Sequence, residues 1–90
     1  MELPELQKLV DSWIKKSGGY WSEFKILGRL VEELGELSHA LRKRDEHGVE
    51  EEVGDLLFTL IAFSNKIGID LENALKKTIE KYDVRDFNKM

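Results

Sequence analysis

Apolar residues return every three or four positions through most of the chain, the period of a helix packed on one side. After Pro4, tolerated in a first helical turn, Leu6, Val10, Trp13 and Ile14 form one series that stops at Ser17-Gly18-Gly19. Ser22 is placed to cap a second helix, along which Leu27, Leu30, Val31, Leu34, Leu37 and Leu41 make a stripe. The polar stretch RKRDEHG separates it from a third series, Val53, Leu56, Leu57, Leu60, Ile61 and Ser64, which ends before Gly68. Asp70 reads as the N-cap of a fourth helix with Leu71, Leu75 and Ile79 on its inner face. No alternation of strand length and no repeat interrupts this order. The pattern predicts an all-α protein: a four-helix bundle forming a single domain over residues 1–90, with an antiparallel central pair.

Between Leu56 and Phe63 the sequence LLFTLIAF is apolar nearly all the way round, so this helix must be covered on most sides. Ninety residues supply few helices to cover it, which predicts a homo-oligomer, a dimer or tetramer, completing the core. Hydrophobic residues are 41% and charged residues 36%, too apolar for disorder. The net charge of −4 argues against a nucleic-acid polymer as partner. The absence of cysteine excludes thiolate zinc sites and thiol catalysis. MELPELQKLV does not read as a signal peptide, and the apolar run from Val53 to Phe63 is too short to span a membrane. A cytoplasmic protein without a membrane partner is expected.

The candidate chemistry lies in acidic residues set beside the leucines, in LVEELGEL and again in EEEVGDLLF. With the stripe of the second helix centred near Leu34 and Leu41, Glu33 lies about 90° to one side and Glu36 about 60° further round, while Glu32 points away. The third helix repeats the arrangement on the same-handed flank with Glu52, then Asp55, Glu51 pointing away. In an antiparallel pair, same-handed flanks face one side, so both acidic pairs meet there. They meet at one level only if the turn lies midway, near Arg44, with Asp45 as N-cap and Gly48 inside the first turns. Four carboxylates about 5–6 Å apart repel by about 3 kcal/mol per pair at an effective dielectric of 20. Either some hold protons or a cation sits among them, and an all-oxygen site suits Mg²⁺ first and Mn²⁺ next. Glu36 and His39 form half of a di-iron motif, but His39 falls on the outer face and no second such pair exists on another helix. His47 lies in the polar turn.

LVEELGELSHAL followed by EEEVGDLLF resembles the MazG-like nucleoside triphosphate pyrophosphohydrolases, whose signature is EExxE, a spacer, then ExxD. GYWSEFKILGRL upstream, and FSNKIGIDLENALKK with EKYDVRDF downstream, extend the resemblance from Leu6 to Phe87 and to a short single-domain branch. It implies a four-helix fold, assembled as dimers or dimers of dimers, that binds Mg²⁺. It also implies cleavage of nucleoside triphosphates to the monophosphate and pyrophosphate, a house-cleaning of the nucleotide pool. Glu33, Glu36, Glu52 and Asp55 would then be the metal ligands, with Glu36 or Glu52 taking a proton from the attacking water. Two departures stand out: the spacer is short where relatives often carry a longer basic loop, and Ile79 occupies a position where many have asparagine. Lys81 and Arg85 are candidates for balancing phosphate charge, and Trp21 and Tyr82 for stacking on a base. Lys25 and Asn65 are further possible contacts, and Trp13 is expected in the core. The competing reading is a non-catalytic helical oligomerisation or partner-binding module with an incidental cation site.

Overall fold

The structure, a computed structural model, describes residues 1–83. Four helices follow one another: α1 (Leu3–Lys16), α2 (Glu23–Arg42), α3 (Glu46–Ile67) and α4 (Leu71–Asp83), with no strand among the described residues. Their ends lie where local chemistry satisfies open backbone groups. Glu5 accepts from the Glu2 amide at the start of α1, Ser22 accepts from the Lys25 amide at 3.2 Å, and Asp70 from Asn73 at 3.1 Å. Gly18 and Gly19 both take positive φ, 114° and 98°, which lets the chain reverse after α1 where a side chain would be strained.

The α2–α3 hairpin is the framework. Asp45 is the N-cap of α3 and accepts from the Gly48 amide at 3.0 Å, so Gly48 lies in the first turn as expected. Arg44 closes the turn in the left-handed region, φ 56°. Along α2 the buried and half-buried positions Ile26, Leu30, Glu33, Leu37 and Ala40 alternate spacings of four and three. Val49, Glu52, Leu56, Thr59 and Phe63 do the same along α3. These are the seam spacings of helices packed near-antiparallel, and Glu33 and Glu52 occupy seam positions.

That corrects the expected placement of the stripe. Its nominal centre, Leu34 and Leu41, is 56% and 65% exposed, whereas Glu33 is 2% exposed. The apolar positions of α2 form two adjacent ridges, and the hairpin uses the one containing Glu33. The other, Leu27, Val31, Leu34 and Leu41, stands uncovered beside Val53, Leu57 and Leu60 of α3. Leu75 and Ile79 of α4 are likewise about half exposed rather than inner. Trp13, expected in the core, is exposed on the surface with its ring edge-on to Phe58, centroids 5.5 Å apart. The accessible surface is 7185 Å², against about 5400 Å² for a compact monomer of this length.

Beyond the hairpin, α1 packs on α3 and α4. Ile14, Ile26 and Ala62 form a small core with Val10, Tyr20 and Phe63 around it. Gln7 clasps the far end: its amide donates to Asn65 Oδ1 at 3.0 Å and to the Ile69 carbonyl at 3.1 Å, and its Oε1 accepts from the Leu71 amide at 2.9 Å. Asn65 returns a bond to the Gln7 carbonyl, so one side chain ties α1 to the end of α3 and the start of α4. Gln7→Ala breaks all three side-chain bonds and should cost about 2 kcal/mol, read as a lower midpoint in urea unfolding at unchanged slope.

Candidate active site

The hairpin brings three of the four expected carboxylates together. One oxygen from each of Glu33, Glu36 and Glu52 lies within 4.8 Å of the others. Asp55 stands outside that group; its side chain is one methylene shorter than glutamate's, and it flanks the cluster close enough for its charge to act on Glu33. Glu32 and Glu51 are exposed and take no part in the triad.

Burial decides the electrostatics. Desolvation pushes the Glu33 carboxyl above its usual value; Arg29 partly offsets this, and the charges of Glu36 and Asp55 add to it. Glu52 is pushed up to about 7, by desolvation first and then by Glu36 and Glu33. Both side chains keep a buried oxygen, Oε2 in each case, without a hydrogen-bond partner among the described residues. Buried carboxylate oxygens are costly to leave unpaired. Two of them facing a third carboxylate suit a divalent cation with oxygen ligands.

Arg29, which the sequence reading passed over, belongs to this site. Its Nε donates to Glu33 Oε1 at 2.8 Å and its Nη1 to Glu32 Oε2 at 3.2 Å. The signal was present in the sequence as an arginine four residues before a glutamate, one helical turn away.

The cluster separates two cavities. One, of about 450 Å³, is bordered by Glu33, Asp55 and Arg29 and walled by Trp13, Tyr20, Trp21 and Phe58, a size typical of small-molecule sites. Tyr20 holds this wall by donating to Asp11, and burial with that bond pushes its hydroxyl up to about 12. Trp21 is half exposed, with the Lys25 ammonium 4.2 Å from its ring centroid. The other cavity, of about 710 Å³, is polar and open, with Glu36, Glu52, His39 and Lys43 on its walls. Lys81 and Tyr82, the ammonium 5.3 Å from the ring centroid, line neither cavity. Asn65 is occupied by Gln7, and Arg85 lies outside the described residues.

In the metal-free protein, folded Glu52 keeps its proton to about pH 7 while the unfolded chain releases it near 4.5. The folded state then binds the extra proton, so stability falls as pH rises between those values. Glu33 acts in the same direction; the lowered Asp11 carboxyl acts oppositely, but only at about pH 3.8 and below. Melts of chelator-treated protein should show Tm decreasing from pH 5 to 7.5 and Glu52→Gln flattening that slope. A Tm that climbs over the interval would contradict the buried cluster.

Known proteins resemble this chain in sequence and fold. The family model for the MazG nucleotide pyrophosphohydrolase domain matches residues 22–89. YpjD of Bacillus subtilis is 35% identical over 95 aligned residues, covering 93% of this chain and 86% of that protein. The nucleoside triphosphate pyrophosphohydrolase/pyrophosphatase MazG of Thermotoga maritima is 42% identical over 62 residues, 69% of this chain but 23% of that longer protein. The crystal structure of a Bacillus-conserved MazG protein, a nucleotide pyrophosphohydrolase, superposes with a TM-score of 0.88 at 36% identity, covering 99% of this chain and 97% of that one. With the family model spanning more than half the chain and the acidic triad on its central hairpin, the protein belongs to the MazG nucleotide pyrophosphohydrolase family.

Proposed function

We propose that this protein is a Mg²⁺-dependent pyrophosphohydrolase of nucleoside triphosphates, cleaving between the α- and β-phosphates to give the monophosphate and pyrophosphate. The observation that carries the reading is the convergence of Glu33, Glu36 and Glu52, two of them with an unpaired buried oxygen, between an aromatic cavity and a polar one.

Glu33, Glu36 and Glu52 would hold the cation, with Asp55 beside them as a further ligand reached by rotation of its side chain. Mg²⁺ held by these residues, or Mn²⁺ in its place, would supply charge neutralisation for the triphosphate and lower the pKa of a bound water. Trp21 and its aromatic neighbours receive the base, which leaves the phosphates to cross the carboxylates toward the polar cavity. Glu36 or Glu52, both on the wall of that cavity, would take a proton from water attacking the α-phosphorus. The bond from that phosphorus to the bridging oxygen breaks, and pyrophosphate departs on the open side. Lys81 and Tyr82, which line neither cavity, and Arg85, outside the described residues, enter this scheme through the family resemblance alone. The uncovered ridge of α2 and α3 supports assembly as a homo-dimer or tetramer. No described helix is long and apolar enough to cross a membrane, in keeping with a cytoplasmic role in clearing surplus or non-standard nucleotides.

Incubation with a panel of NTPs and dNTPs and Mg²⁺ should release monophosphate and pyrophosphate in equal amounts from at least one member. Orthophosphate as first product, or no turnover of any member, would reject the reading. Glu52→Gln should lower turnover by more than about 100-fold with the fold retained by circular dichroism, whereas Glu50→Gln, outside triad and cavities, should stay near wild type. Light scattering should give a dimer or tetramer mass, shifted toward monomer by Leu34→Asp.

A further inference from the structure

Most of the site's charged groups are acidic, yet its substrate is an anion. Lys43 stands on the wall of the open cavity, but the cation paired with the triad itself is Arg29. Its Nε holds Glu33 Oε1 at 2.8 Å, on the oxygen opposite the unpaired Oε2. Its Nη1 holds Glu32 loosely at 3.2 Å, both partners being substantially exposed. Among the described residues those bonds engage Nε and Nη1 and no partner of Nη2, and the guanidinium borders the aromatic cavity together with Glu33 and Asp55. A triphosphate whose base sits in that cavity and whose phosphates reach the triad must pass this side chain. The guanidinium fork matches phosphate oxygens as well as it matches carboxylate.

We propose that Arg29 is a transferable counter-ion: it neutralises Glu33 while the triad is empty and turns to the phosphates of the bound nucleotide when the cation takes up Glu33. The proposal rests on the nucleotide-hydrolase reading above. Arg29 thereby has opposite effects on the two ligands. Toward a divalent cation it is a competing positive charge; toward a triphosphate it is a partner. A purely structural strut would favour both, and a bystander would favour neither.

The experiment measures two affinities on the same pair of proteins. Mn²⁺ binding to chelator-treated protein is followed by electron paramagnetic resonance, and binding of a triphosphate with a methylene bridge between its α- and β-phosphorus by calorimetry at saturating Mg²⁺. Arg29→Gln should bind Mn²⁺ about three- to tenfold more tightly, because a like charge near the ion is removed. The same variant should bind the analogue at least about tenfold more weakly, through loss of a charge-assisted phosphate contact. Arg29→Lys keeps the charge without the fork; its Mn²⁺ affinity should stay near wild type and its analogue affinity fall between the other two. Weaker Mn²⁺ binding by Arg29→Gln, or analogue binding equal to wild type, would overturn the proposal. A wild-type protein that takes up neither Mn²⁺ nor the analogue would instead overturn the hydrolase reading on which it rests, so the two failures are told apart by the wild-type arm.

Discussion

Glu33 is buried in the seam between two helices, and the rest of the molecule is organised around that fact. A carboxylate at 2% exposure loses most of its hydration. Among the described residues its ion pair with Arg29 satisfies a single oxygen and leaves the other unpaired. An alanine or leucine would pack the same position at less cost, as Ala40 and Ile26 do on the same ridge. Glu52 repeats the conflict on the facing helix. Two acidic residues in positions that favour apolar side chains, with a third beside them, are a local loss of stability retained for chemistry.

The antiparallel hairpin converts that local conflict into a site. Because the helices run in opposite directions, same-handed neighbours of the seam meet on one side, and Glu36 joins Glu33 and Glu52 there. Their level is set by the turn, where the Asp45 cap starts α3 immediately after the left-handed Arg44. A longer connection would permit the same fold but would not by itself impose this level. The two cavities follow from the same geometry: α1 and the Gly18-Gly19 reversal wall one end with aromatic rings, and the open turn leaves the other polar.

On its other flank the hairpin exposes leucines and valines that no other described helix covers. Acidic chemistry and apolar surface are thus segregated to opposite sides of one helix pair, so an association that covers the second ridge need not obstruct the first. A surface larger than a compact monomer's fits a chain whose core is small on its own.

Much of this was legible in the amino-acid sequence because it depends on local chemistry. The four helices, the Ser22, Asp45 and Asp70 caps and the all-α class follow from side chains bonding the backbone three residues on, and from apolar spacing. The acidic motifs pointed to the family and named Glu33, Glu36, Glu52 and Asp55, of which the hairpin groups the first three. Only the tertiary structure decided which of two apolar ridges faces inward. Periodicity sums every apolar position on a helix, whatever surface each one serves, so its average fell near Leu34 while the packed seam runs through Glu33. The same reason hid the exposure of Trp13 and the role of Arg29: hydrophobicity and charge are properties of a residue, but burial and partnership belong to the pair of surfaces that meet.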